Sequence, residues 1–348
     1  MRRRARHLLA LVAAGLVVLG CRGSEGAREA AAAARGAGGV GAAMRVALVT
    51  PGSVADQAWN SQAYAGLQQV HDSLHLPISH VEARTPAEQE EALRTYAAQG
   101  YGLVFGHGFE FQRPAERVSA EYPRTVFIVT SGERVEGNVA PLVFRLHEAS
   151  YLAGMVAGGI TKSNVLGFVG GVEIPPVREA YEAWVHGAQA TNPRARSRLT
   201  YLNNWDDAAA GREAALALIR AGADVFHHNA DAAALGVFQA VKETPGVYIF
   251  GANADQTALA PGRVVGSAVL DLPRAFLLVA REVAAGQFTP KVESFGLASG
   301  VVRYEPNPAL DAVVPPALAA RVRAAADSIR AGTLRTGFTA ADSVRAAR

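Results

Sequence analysis

Arg45-Val-Ala-Leu-Val-Thr50 runs straight into Pro51-Gly52, and beyond it Ser61–Leu74 places Ala63, Leu67, Val70 and Leu74 at three- and four-residue spacing. A short apolar, β-rich run cut off by Pro-Gly is the pattern of a strand buried on both faces, and such strands occur in parallel sheets covered by helices. The same alternation continues outward from this stretch. Ile78–Glu82, Leu103–Phe105 and Thr125–Val129 read as strands, with Pro86–Ala98 and Arg113–Glu121 as helices between them. A second series opens with a helix over Glu148–Ile160. It continues with strands at Val165–Phe168, Arg198–Leu202, Val225–His227 and Val247–Phe250, separated by helices at Pro176–Thr191, Ala208–Ala221 and Ala232–Glu243. Strands over Val264–Val269 and Phe295–Val302 flank a helix at Leu272–Ala285, so the chain crosses back before it ends. Pro315-Pro316 then opens a packing helix with Leu318, Val322, Ala326 and Ile329 on one stripe. Two such series predict an α/β protein of two doubly wound lobes.

The length of 348 residues agrees, since one core seldom organises more than about 250–300. Half of the residues are apolar and 19% are charged, which excludes wholesale disorder and a polytopic membrane protein. The formal charge of +3 invites a nucleic-acid reading until the charges are located. Arg2, Arg3, Arg4 and Arg6 stand in an acid-free leader, and beyond residue 21 the chain carries 30 basic against 31 acidic residues. After the arginines come twelve uncharged residues, Leu8 to Leu19, about 18 Å of helix against a hydrocarbon core of roughly 30 Å. Residues 1–21 therefore read as a signal segment and not a membrane span. Residues 22–43, rich in Ala, Gly and Arg, read as a tether. Cys21 is the single cysteine, which leaves neither a disulfide nor a catalytic thiol in the body.

Ligands of open parallel sheets bind beyond the carboxyl ends of the strands. Those places hold Asp56-Gln-Ala-Trp-Asn60, Gly106-His-Gly-Phe-Glu-Phe111, Gly170-Gly-Val-Glu-Ile-Pro175, Trp205-Asp206-Asp207, His227-His228-Asn229-Ala-Asp231 and Gly251-Ala-Asn253-Ala-Asp255-Gln256. Aromatic rings beside carboxylates and amides suit a neutral ligand with a flat ring and vicinal hydroxyls. Candidate ligand contacts are Asp56, Trp59, Asn60, Tyr64, Phe109, Glu110, Trp184, Trp205, Asp231, Asn253 and Asp255. Each has a plainer role open to it: Asp56 and Asp206 are placed to cap helices, and any one ring could be core packing. His227 and His228 are adjacent on a strand and point to opposite faces, so no metal site is expected. Neither GxxxxGK[ST], GxSxG nor HExxH occurs, and the only lysines are Lys162, Lys242 and Lys291. Carboxylate chemistry by a pair such as Asp206 and Asp255 ranks below binding. The chain reads as no enzyme and requires no cofactor.

The leader ending in Val18-Leu19-Gly20-Cys21 resembles a bacterial lipoprotein signal, in which the cysteine carries the lipid. From Met44 to about Pro308 the chain resembles the basic membrane protein family, the purine-nucleoside-receptor-like substrate-binding lipoproteins of ABC importers. The resemblance is carried by Asp56-Gln-Ala-Trp-Asn60 with Tyr64, by Glu148-Ala-Ser-Tyr-Leu-Ala-Gly154, and by Gly167-Phe-Val-Gly-Gly171 with Pro175. Trp205-Asp206, Gly222-Ala-Asp-Val225 leading to Leu235-Gly-Val-Phe-Gln-Ala240, and Ala254-Asp255-Gln256 complete it. It implies a type I periplasmic-binding-protein fold, two lobes joined by three crossovers with ligand in the cleft. Residues 44–131 plus 265–290 would form the N-terminal lobe, and 132–264 plus 291–348 the C-terminal lobe. Asp56 and Asn60 would hydrogen-bond the ligand, Tyr64 and Trp184 would stack on a base, and Trp205 and Phe109 would line the cleft. Asn253 stands where the family usually has the Asp that takes ribose hydroxyls, and Leu270 where it often has a lysine. Glu110 and Asp231 are the candidates for the missing acceptors. The implied partners are a small nucleoside-like molecule, an ABC permease and a membrane reached only through the lipid on Cys21. Nucleic acid is not among them, and a monomer is expected outside the cytoplasm. A membrane-anchored sensor or a sugar receptor on the same fold would read alike.

Overall fold

The computed structural model describes residues 44–56 and 58–336. The expected signal segment 1–21 with Cys21 and the tether 22–43 lie outside the described residues. Two six-stranded sheets carry the fold. The first is built from β1 (Val46–Thr50), β2 (Ile78–Glu82), β3 (Leu103–His107), β4 (Val126–Thr130), β5 (Val139–Phe144) and β11 (Glu293–Phe295), in the order β11-β5-β4-β3-β1-β2. The second contains β6 (Val165–Gly170), β7 (Arg196–Tyr201), β8 (Val225–Asn229), β9 (Tyr248–Asn253), β10 (Val264–Leu270) and β12 (Val302–Pro306), in the order β12-β10-β9-β8-β6-β7. The wiring is the same in both. Pairing is parallel except that β12 runs antiparallel to β10. The central strands are buried end to end, β1, β3 and β8 at every residue, as expected for sheets covered on both faces.

Helices α1 (Trp59–Leu74), α2 (Pro86–Ala98), α3 (Gln112–Ser119), α4 (Leu146–Ile160), α5 (Pro175–Thr191), α6 (Ala208–Arg220), α7 (Ala234–Glu243), α8 (Leu272–Ala284) and α9 (Pro316–Arg330) follow in chain order. Their starts are written locally. Thr85 and Glu88 close a capping box on α2, and Asp207 and Asp271 accept from Ala210 N–H and Arg274 N–H to cap α6 and α8. Helix α4 buries 13 of its 15 residues because α5 covers one side of it while the second sheet and α9 cover the others. Contact with α5 is backbone to backbone. A Cβ at Gly154 would stand 2.1 Å from the Trp184 carbonyl oxygen, so any side chain there would force the helices apart.

The chain passes between the sheets three times, after β5, after β10 and between β11 and β12. The three passages are tied to one another. Arg145 N–H donates to the Phe295 carbonyl at 2.8 Å, Asp271 N–H to the Val301 carbonyl at 2.7 Å, and Leu297 N–H to Glu148 Oε2 at 2.6 Å. Their positions correct the expected boundaries. β5 belongs to the first sheet and not to a second lobe starting at 132; β10 belongs to the second sheet and not to a first-lobe segment starting at 265; β11 belongs to the first sheet, although 291–348 was assigned to the other lobe. Two features hide this in the sequence. β5 contains Pro141, a residue that argues against a central strand, and it is tolerated because β5 pairs with β11 only from Leu142 onward. β11 is only three residues long.

Candidate functional site

The carboxyl ends of both sheets face one cleft. Its walls come from the segments that follow β1, β3, β4 and β5 on one side and β6, β7, β8, β9 and β10 on the other. The empty space between them, open mouth included, is about 740 Å³.

On the first-sheet side Asp56 organises the wall without entering it. Its carboxylate accepts from Ala58 N–H at 3.1 Å, Asn60 N–H at 2.6 Å and Ser61 N–H at 2.9 Å, which satisfies the free amides at the start of α1. That fixes Trp59 and Asn60, the first two residues of the helix, against the cleft. Trp59 stacks on the His107 ring at 4.1 Å between centroids and 24° between planes. The histidine is fully specified: Nε2–H donates to the Trp59 carbonyl at 3.1 Å and Nδ1 accepts from the Thr130 hydroxyl at 2.9 Å. Burial holds its pKa down to about 3, against the proton-favouring hydrogen bond to Trp59, so the ring is neutral. Asn60 is buried, and its Oδ1 has no hydrogen-bond partner among the described residues. Phe109 and Glu110 reach the cleft because Gly108, at φ 139°, turns the chain; a Cβ there would meet the Glu110 carboxyl at 2.4 Å.

On the second-sheet side Trp205 lies against Gly171, where a Cβ would stand 2.2 Å from the indole. Asn229, Asp231, Asn253 and Leu270 complete this wall from the ends of β8, β9 and β10. Three residues that line the cleft have left-handed backbones without being glycine: Ser131 at φ 57°, Asp231 at 45° and Asn253 at 66°. Such conformations each cost about 1–3 kcal/mol and gather at working sites. The Asp231 carboxyl lies among Asp56, Glu110 and Asp206. Desolvation first, then those three charges, raise its pKa well above the usual carboxylate range. Desolvation raises Glu110 as well, although that residue stands exposed at the mouth. Asp206 is also at the mouth, its side chain 62% exposed, and pairs at 3.4 Å with Arg84 from the end of β2 in the other sheet. Among the described residues, no Lys, Arg or His lines the cleft.

Residues 43–332 match the family described as ABC transporter substrate-binding protein PnrA-like. The chain belongs to that family. It is 27% identical over 274 residues to Basic membrane protein A2 of Borrelia garinii subsp. bavariensis, covering 76% of this chain and 80% of that one. It is 32% identical over 217 residues to the putative ABC transporter glucose-binding protein TsgA13 of Haloferax volcanii, covering 62% of this chain and 54% of that protein. The solved structure of an ABC transporter solute-binding protein from Aeropyrum pernix superposes with a TM-score of 0.77 at 22% identity, covering 84% of this chain and 92% of that one, so the type I binding-protein fold is shared. The family binds solutes and carries them to a permease outside the cytoplasm; it is not a family of enzymes.

In this substrate-binding protein seven of the expected contacts, Trp59, Asn60, Phe109, Glu110, Trp205, Asp231 and Asn253, meet in the cleft. Four do not. Asp56 is occupied in capping α1. Tyr64, one turn further along α1, packs edge-on against His80 at 5.3 Å. Trp184 is fully buried and sits at 5.1 Å from the His227 ring and 5.4 Å from Phe250. Its position on α5 faces the close contact with α4, so it cannot stack on a ligand. Asp255 is exposed and accepts from Thr257 N–H at 3.0 Å in a tight turn. Asp206 and Asp255 therefore do not form a carboxylate pair in the cleft, and Asp207 caps α6 in place of Asp206. His227 and His228 point away from each other as expected: His227 bonds Ser150 and the Phe250 carbonyl, and His228 donates to Gln256 Oε1 at 2.8 Å. The apolar walls, Phe144, Leu146, Ile174 and Val177 among them, carry no chemical signature that a sequence could have shown.

Proposed function

We propose that this chain is a lipid-anchored receptor that closes its two sheets over a small uncharged ligand with a flat ring, a purine nucleoside, and presents it to an ABC permease as a monomer. One observation carries the reading. Trp59 and Trp205 bring an aromatic ring to the cleft from each sheet, with the acceptors Asn60, Asn229, Asn253, Glu110 and Asp231 around them and no cation among the described lining residues. Two rings suit a flat ligand, and the lack of a cation disfavours phosphates and carboxylates. Asn253, an uncharged amide, accepts from one hydroxyl and not bidentately from two, which leaves the sugar less tightly specified than the ring.

A ligand that binds only the folded chain raises its Tm in proportion to ln(1 + [L]/Kd). Purine nucleosides are expected to raise it and nucleoside monophosphates are not. A shift with phosphorylated compounds alone, or with none of a panel of nucleosides, bases and sugars, removes the proposal. A neutral sugar is the second reading, favoured by the name of TsgA13, and a larger shift with hexoses than with nucleosides would select it. Anchoring rests on the order basic leader, apolar run, Gly20-Cys21. Cys21→Ala is expected to release the chain from the membrane fraction, and retention there would contradict the anchor.

A further inference from the structure

Two acceptor atoms in the cleft are buried and have no partner among the described residues: Asn60 Oδ1 on the first-sheet side and Asp231 Oδ1 on the second. Folded chains pair nearly all such atoms, because an unmet buried acceptor costs as much as a lost hydrogen bond. Asp231 is expensive in a second way, since it holds φ 45° where glycine would be free of strain. It is expensive in a third, because the charges of Asp56, Glu110 and Asp206 act on it and, among the described residues, the only cation near them is Arg84, which pairs with Asp206 at the mouth. Glycine at position 231 would remove all three costs. A carboxylate kept there at such expense is explained by a partner that the ligand brings.

The orphaned acceptors stand on opposite walls, and Asp231 reaches the main chain of Trp59, the neighbour of Asn60. One ligand group can serve both. An amino group has two N–H bonds to offer in different directions, whereas a hydroxyl has a single hydrogen. We infer that Asp231 is the specificity-determining residue of the cleft, accepting one N–H of a ligand amino group whose other N–H goes to Asn60. This rests on the receptor reading above and sharpens it, from a neutral ring to an amino-bearing one. Because the group bridges the two walls, its capture also favours the closed arrangement over the open one.

Matched pairs of probes test this with the full chain in detergent, by calorimetric titration: guanosine against inosine, adenosine against purine riboside, and glucosamine against glucose. The amino member of at least one pair is expected to bind about tenfold more tightly, the scale of one hydrogen bond. Asp231→Gly should reduce that preference to within about threefold, and Asp231→Asn, which keeps one acceptor oxygen, should reduce it less. Asn keeps the size of the side chain and Gly suits the backbone angle, so both variants are expected to fold. Equal binding within every pair by the parent chain overturns the inference, and so does a preference that survives in Asp231→Gly. If none of the six probes binds, the receptor reading fails along with it; if probes bind without discrimination, only the role of Asp231 fails.

Discussion

The carboxyl ends of β3 and β8 occupy the same place in the two sheets, and each buries a neutral histidine beneath a tryptophan. At β3, His107 supports Trp59, and the indole faces the cleft. At β8, His227 lies against Trp184, and that indole is sealed between α4, α5 and the sheet. The pairing is the same but the outcomes are opposite. What differs is the position of the tryptophan on its helix. Trp59 is the first residue of α1, where the chain has just left the strand end, whereas Trp184 lies more than two turns into α5, on the face that meets Gly154. A ring close to a strand end serves the ligand, and a ring deep along the same connection serves the core.

Substitution of the two rings should separate these roles most strongly. Trp184→Ala empties a fully buried site and is expected to cost about 3–5 kcal/mol of stability, read by chemical denaturation. Trp59→Ala should cost clearly less and abolish the ligand-induced Tm shift. If Trp59→Ala proves the more destabilising, or Trp184→Ala spares stability and loses binding, the contrast is wrong.

Acid should act on both sheets together. Burial holds His107 and His227 to about 3 and His228 to about 4, all below the usual 6.5. The unfolded imidazoles take up protons below about 6.5 while the native ones do not. The stability these groups contribute is therefore complete above about pH 6.5 and is lost as pH falls toward 3. His228, whose hydrogen bond to Gln256 works against burial, should complete its share of the loss first. A Tm that stays flat between pH 6.5 and 4 would contradict neutral burial.

The smallest effect belongs to the ion pair that spans the mouth. Arg84 and Asp206 are both more than half exposed, and such pairs contribute at most about 1 kcal/mol. Arg84→Ala should weaken ligand binding by no more than about fivefold, with the difference shrinking at high salt. A larger loss that persists at high salt would mean that Arg84 touches the ligand.

Much of this architecture could be read before the structure. Pro86–Ala98 and Ile78–Glu82 were legible to the residue, because a capping Thr85 and clean turns bound them. Strand-end loops pointed to seven cleft residues because the geometry of parallel sheets sends those loops to one place. The misses share a cause: local pattern cannot report burial by a distant element. Asp56 reads equally as ligand acceptor or cap until three amides at the start of α1 bond to it. Trp184 reads as a stacking ring until α4 covers it. β5 is broken to the eye by Pro141, and the need for that strand appears only when β11, roughly 150 residues later, arrives to pair with its far end.

That late arrival bears on how the molecule comes into being. Neither sheet is complete when the ribosome has delivered residue 290: the first still lacks β11 and the second lacks β12. A growing chain cannot finish one half and then begin the other, as consecutive domains do. It must carry two unsealed edges, at β5 and β10, until nearly all of its length has emerged. The last strands to be made, β11 and β12, are the ones that complete both halves.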